Sequence, residues 1–192
     1  LQTSFRFAAT ALLLAPFPAL AQTPALERVL SATTLYLSEN GGYDLAILVD
    51  NRDSGADLYL YFGVDPNAPE GKTKPSFVKK NAAWVGGGAG ALPSLAVSDK
   101  GSLLIKSEND AIGRDRWSET LTVVRRNGAL VVAGLTFTAR DTLEPEGGGS
   151  CDLNFLTGKG TRNGKKIELK AQTLPLADWS VNGEALPKEC RF

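Results

Sequence analysis

The sequence predicts a mainly β fold, an antiparallel sandwich or open barrel of hairpins, with at most one or two short helices after an N-terminal leader. Three observations carry this expectation. Runs of Val, Ile, Leu, Thr and Tyr of strand length are bounded by clusters of Gly, Asn, Asp and Pro. Two Asn-Gly pairs, Asn127-Gly128 and Asn163-Gly164, stand between such runs. Asn-Gly accepts the positive φ angles of a tight hairpin turn whose twist matches the strands it joins. Within the runs, apolar and polar residues alternate. Leu135, Phe137 and Ala139 are interleaved with Thr136, Thr138 and Arg140, and Ile167, Leu169 and Ala171 with Lys166, Glu168 and Lys170. That period of two gives each strand one dry and one wet face.

In chain order, residues 22–32 have room for one or two helical turns before the first strand. The clearest strands are Tyr43–Val49, Asp57–Phe62, Gly101–Ser107, Trp117–Arg126, Ala129–Arg140, Cys151–Thr157 and Lys165–Ala171. Successive hairpins of this kind imply an antiparallel sheet. Residues 63–93 differ, because Pro66, Pro69, Pro75 and the run Gly86-Gly-Gly-Ala-Gly90 predict irregular or edge structure. This stretch is a possible subdivision between an N-terminal sheet portion (33–62) and the rest (94–192), with no linker long enough to separate two domains.

Residues 1–21 read as a cleavable secretory signal peptide. Arg6 gives a positive n-region, Phe7–Ala15 an apolar core, and Pro16 and Pro18 end any helix. Ala19-Leu-Ala21 fits a small-x-small cleavage pattern, so cleavage is expected between Ala21 and Gln22. The apolar run falls well short of the roughly 20 residues that a membrane span needs. No Cys follows the site, which argues against lipid attachment, and no later stretch has the length and apolarity of a spanning helix. The expected address is periplasmic or secreted.

Removing 21 of the 192 residues leaves 171, the size of one globular domain. Lys and Arg number 21, as do Asp and Glu. Losing Arg6 leaves a formal net charge of −1. Such a balance gives no bulk attraction to nucleic acid or to anionic lipid. The two cysteines, Cys151 and Cys190, are expected to form a disulfide in an oxidising compartment. The bridge would close a loop of about 40 residues, worth on the order of 3–4 kcal/mol, and staple the C-terminal tail to a strand near Cys151.

The chain has no histidine, which removes Ser-His-Asp triads, Cys-His dyads and imidazole metal ligands. No catalytic set, metal site or cofactor motif assembles from the remaining residues. Gly71-Lys72-Thr73 ends like a phosphate-binding loop, but Pro66 stands where that loop needs glycine and no helix follows. Gly86–Gly90 has no βαβ unit around it. Asp50–Asp57 carries three carboxylates between two apolar strands, yet Arg52 interrupts the alternation a calcium loop would need, so a turn is expected.

The densest polar stretch between two strands is Ser107–Trp117. Its simplest reading is a charged hairpin loop with internal Arg–Asp pairs. Its functional reading is a binding surface formed by Trp117, Arg114, Arg116 and Asp115, since Trp offers a flat face to sugars and peptides. Glu108, Asp110, Asp115 and Glu119 surround Trp117 and are the candidates for a hydrolytic acid–base pair, which must sit about 5–9.5 Å apart.

Asn40-Gly-Gly-Tyr-Asp-Leu-Ala-Ile-Leu48, followed by Gly55-Ala-Asp-Leu-Tyr-Leu-Tyr-Phe-Gly63, resembles a degenerate FG-GAP repeat, a hairpin unit of integrin-like propellers. The resemblance implies a hairpin here, with Asn40 and Asp44 at calcium-ligand positions. A single copy does not imply a propeller, which needs several blades. Residues 101–164, and Ser150-Cys-Asp-Leu-Asn-Phe-Leu-Thr-Gly-Lys159 above all, resemble exported β-rich proteins of Gram-negative bacteria. That resemblance implies a periplasmic address and no particular activity.

The expected function is therefore that of a non-enzymatic exported domain binding a protein, peptide or glycan. Two alternatives are a carboxylate-based hydrolase of envelope polysaccharide and a structural envelope component.

Overall fold

A computed structural model describes residues 26–38, 42–68, 74–88, 91–180 and 186–192. The expected leader, the Ala21–Gln22 cleavage site, Asn40 and the Gly71-Lys72-Thr73 triplet lie outside the described residues.

The fold is mainly β, as predicted, and consists of two antiparallel sheets. The first has the order β1 (Val29–Leu35), β2 (Tyr43–Asp50), β3 (Gly55–Val64), β4 (Phe77–Trp84). The second contains β5 (Ser94–Val97), β6 (Leu103–Asn109), β7 (Asp115–Arg126), β8 (Ala129–Asp141), β9 (Gly149–Asn154), β10 (Lys159–Arg162) and β11 (Lys165–Glu168), each beside its neighbour in sequence. A two-residue strand, β12 (Leu174–Pro175), pairs with β8 at Val132 and Val131, below the rungs that β9 occupies. Helix among the described residues amounts to four three-residue 3-10 turns, and no helix is long and apolar enough to cross a membrane.

Local chemistry explains most boundaries. Asn127 and Gly128 have φ of 50° and 80°, and Asn163 and Gly164 48° and 75°, so both Asn-Gly pairs form the expected turns. The helical expectation for residues 22–32 fails after Leu26–Arg28, because Val29 already begins β1. There the β-branched residues Val29, Thr33 and Thr34 pair with β2, and tertiary pairing overrides the weak helical signal. Within 63–93 the expected edge structure is a full strand, Phe77–Trp84. It is the edge strand of the first sheet, which accommodates its polar Lys79-Lys80-Asn81 run. The passage between the two sheets falls at residues 85–93.

Residues of both sheets share one buried cluster. Ala46, Leu48, Leu58 and Leu60 contribute from the first sheet, and Leu103, Ile105, Leu121, Val123, Leu135 and Leu153 from the second. Each fully buried aliphatic side chain stabilises the fold by roughly 1.5–3 kcal/mol relative to exposure. The sheets are also tied by hydrogen bonds, from Leu95 N–H to Ser31 Oγ (3.0 Å) and from Trp84 N–H to Ser107 Oγ (3.2 Å).

Candidate functional site

The β7–β8 ladder is the longest in the molecule, and the candidate site lies at the end where β7 begins. Buried Asn109 shapes the loop that leads into β7. Its side-chain nitrogen donates to the carbonyls of Ile112 (2.7 Å) and Asp115 (2.9 Å), and its oxygen accepts from Ile112 N–H (2.9 Å). Gly113 completes the turn at φ 71°. The polar loop is thus a fixed structure, and it delivers Asp115, Arg116 and Trp117 opposite Asp141, Arg140 and Ala139.

The strand period then sorts the side chains. Trp117, Glu119 and Leu121 share one face of β7 with their cross-strand partners Ala139, Phe137 and Leu135, while Arg116 and Ser118 share the other with Arg140 and Thr138. The Trp117 ring lies 5.3 Å from Trp84, tilted by 58°, and 6.3 Å from Phe137, stacked within 20°. Trp84 ends β4, so this row of three rings passes from one sheet to the other. Gly86 makes room for it, because a Cβ there would run into the Trp84 ring and Ala91.

The C-terminal tail forms the opposite wall. Cys190 is bonded to Cys151 in β9, with Cα atoms 5.4 Å apart, so the expected disulfide and its staple of the tail are present. Phe192 lies against Gly149, where any Cβ would enter its ring. The Arg162 guanidinium sits 4.9 Å over the Phe192 ring and donates to the Arg191 carbonyl (2.9 Å). Between tail and ladder runs an open groove of about 380 Å³, whose lining includes Asp115, Arg116, Trp117, Phe137, Arg191 and Phe192. A smaller cleft of about 210 Å³ adjoins it, with Glu108, Asp110, Ser118 and Thr138 in its wall. Arg116, Trp117 and Arg140 line both.

The charges divide into paired and unpaired groups. Arg114 bridges Asp141 (2.5 Å) and Glu144 (3.2 Å). Desolvation pushes the Asp141 carboxyl up, but hydrogen bonds from Leu143 N–H, Arg114 and Glu144 N–H hold it below the usual carboxylate range. Arg140 pairs with Asp110. Arg116 has no hydrogen-bond or ion-pair partner among the described residues, and its Nη1 is buried. Glu119 is largely buried between cross-strand neighbours Ser107 and Phe137. Nothing among the described residues bonds its carboxyl, and burial pushes it from 4.5 up to about 7.

Of the four residues singled out in the sequence, Asp115, Arg116 and Trp117 come together in the groove wall. Arg114 does not join that wall and serves as a clamp on the end of β8. Arg–Asp pairs do form as expected, but they reach from the loop to β8 (Arg114–Asp141, Arg140–Asp110). The four candidate carboxylates do not all share one face, although Glu108 and Asp110 line the same cleft. Glu119 and Glu108 occupy opposite faces of the sheet, Asp110 is held by Arg140, and Asp115 is exposed. Trp84 was one of several aromatics the sequence offered as groove-lining, while Phe137 and the tail residues were missed, because their positions depend on pairings distant in the chain.

Elsewhere, acidic groups serve the fold. In the FG-GAP-like segment, β2 and β3 do form a hairpin. Asp44 is fully buried and accepts from Leu37 N–H (2.6 Å), Ser38 N–H (2.7 Å), Ser38 Oγ (2.5 Å) and Gly63 N–H (2.8 Å). Burial alone would raise its pKa, and these bonds together hold it below the ordinary value. Residues 50–57 form the expected turn, with Asp50 and Asn51 accepting from the N–H groups two residues ahead. Asp57 bonds Lys80 (2.6 Å), Asn51 and Asn81. No cluster of three or more metal-ligating side chains is found among the described residues.

Fold and site together define a disulfide-stapled, two-sheet β protein with an aromatic-lined open groove. Comparison with protein-family models, with curated protein sequences and with solved structures finds no match in any of the three.

Proposed function

We propose that this chain is an exported binding domain, periplasmic or secreted and without catalytic activity, whose groove accepts a segment of saccharide. The observation that carries the reading is the row Trp84–Trp117–Phe137 beside an open groove of about 380 Å³. Aromatic faces offer apolar area at small entropic cost to flat ligands, while Asp115, Arg116 and Arg191 line the same groove with groups that bond hydroxyls. Export is supported by the leader-like residues 1–21 and by the Cys151–Cys190 bridge, since disulfides persist in oxidising compartments.

Calorimetric titration of purified protein against a panel of neutral and acidic oligosaccharides tests this reading. Trp117→Ala should weaken binding at least tenfold, and Trp117→Phe, which keeps a ring on Phe137, should restore part of it. Equal affinity of wild type and Trp117→Ala, both folded by circular dichroism, would refute the assignment of the groove. A panel without any binder would refute the saccharide reading.

A further inference from the structure

Resting on the binding reading of this groove, we propose that Arg116 is its acid-recognition group, and that the ligand is a saccharide bearing a carboxylate, of the uronic-acid type. Arg116 and Arg140 stand directly opposite each other on β7 and β8, and like charges in that position repel. Two carboxylates, Glu108 and Asp110, line the cleft with these arginines; Asp110 is taken by Arg140, and Glu108 makes no ion pair among the described residues. Arg116 is half-buried and makes no ion pair among the described residues, and its Nη1 is buried and unbonded. A buried N–H without an acceptor is a local cost that a bound acceptor relieves. A ligand carboxylate brought alongside it would supply that acceptor.

Position gives the acid group its context. Arg116 follows Asp115 and precedes Trp117 on β7, and it lines both the large groove and the smaller cleft. Arg116 belongs to the face of β7 opposite Trp117 and Phe137, but at the start of the strand it lines the same groove as they do, so a ligand seated in the groove would meet both. The guanidinium fork matches the two oxygens of a planar carboxylate. On the next same-face rung, the Ser118 and Thr138 hydroxyls bond each other at 2.7 Å and line the cleft, where they are available to ligand hydroxyls. Glu108 and Asp110 also line that cleft. Their charge disfavours a phosphate dianion more than a carboxylate monoanion, and so selects the weaker acid charge. Asp141, the other carboxylate that lines the large groove beside Asp115, is already occupied by Arg114.

The experiment compares a trisaccharide of galacturonic acid with its fully methyl-esterified counterpart, which differs in charge and retains the rings. Wild type should bind the acid at least tenfold more tightly than the ester, and that preference should shrink as salt rises. Arg116→Gln should abolish the preference, so that the folded variant binds acid and ester with equal affinity. Asp110→Asn, which releases Arg140, should tighten acid binding several-fold. Equal affinity for acid and ester, with both lost in Trp117→Ala, would overturn acid recognition while preserving the groove reading. Binding of neither trisaccharide, or capture of acidic peptides in place of the acid trisaccharide, would overturn the proposal, and in the former case a neutral oligosaccharide that binds would still preserve the groove. Unchanged acid preference in folded Arg116→Gln would assign the charge effect to other residues and sink the inference.

Discussion

Replacing Glu119 by Gln should stabilise the protein at pH 8 and leave it almost unchanged at pH 4. Burial raises the Glu119 carboxyl from 4.5 to about 7 in the folded chain. Below about pH 4.5 the carboxyl is neutral in folded and unfolded chains, and folding carries no penalty. Between about 4.5 and about 7 the unfolded chain ionises while the folded one stays protonated, so stability falls as pH rises. Above about 7 both are charged, and the loss is complete. Each pKa unit is worth about 1.4 kcal/mol, giving a total of ~3 kcal/mol. For a domain of this size each kcal/mol moves the melting temperature by roughly 2–4 °C, so the variant should melt on the order of 6–12 °C higher at pH 8. The absence of histidine leaves this pH window almost free of other titrating side chains, which makes the measurement clean. Thermal and urea melts of wild type and Glu119→Gln at pH 4, 5, 6, 7 and 8 supply the two curves. Curves that run parallel across that range would show that the carboxyl is solvated or bonded, and would refute the argument from isolation.

Two further outcomes follow from the same frame. Mutating Cys151 and Cys190 together to Ser opens a loop with a sequence separation of 39 residues, and the chain-entropy treatment puts the cost at about 4 kcal/mol; the urea midpoint should drop accordingly, and tryptophan fluorescence should report loss of the tail wall, whereas an unchanged midpoint would show that the staple does not constrain the unfolded chain. Asn109→Ala removes a side chain that makes three hydrogen bonds to the 112–115 backbone, which should cost roughly 1–3 kcal/mol and speed amide exchange at Ile112; unaltered exchange there would show that the loop holds its shape without the Asn109 amide.

The sheet architecture was legible in the sequence because it rests on local signals. Asn127-Gly128 and Asn163-Gly164 announce their turns, and the alternation in Leu135–Arg140 states which face is buried. Strand β4 was hidden for a physical reason. Prolines at 66, 69 and 75 precede it, its Lys79-Lys80-Asn81 stretch is polar, and Asn81 has a positive φ at the irregular rung between Ala56 and Leu58. Pairing with β3 makes it a strand. The site was half legible. Trp117 drew attention through its charged neighbours, but Trp84, Phe137 and Phe192 reach it through strand register and a disulfide, which one-dimensional spacing does not encode. Glu119 was visible as a carboxylate near Trp117. Its inward direction follows only when Trp117 and Leu121, two residues away on either side, are read as buried-face positions.

What sets this end of β7 apart is where the fold leaves polar groups unsatisfied. Among the described residues, the four buried polar ones, Asp44, Asp57, Ser107 and Asn109, all have hydrogen-bond partners. Arg28 and Trp179 each leave one buried nitrogen unbonded elsewhere. On β7, by contrast, Arg116 and Glu119 stand three residues apart, each ionisable and each without a partner among the described residues, with Trp117 between them. They point to opposite faces, so they do not neutralise each other. At Glu119 an amide side chain would remove the cost of burying a charge and break no bond among the described residues. Local violations of this kind are expected where a site needs a charge held ready and unanswered. Their concentration in one stretch of the ladder, beside the aromatic row and under the stapled tail, is the physical reason the proposed recognition is assigned here and not to the well-bonded acidic turns of the first sheet.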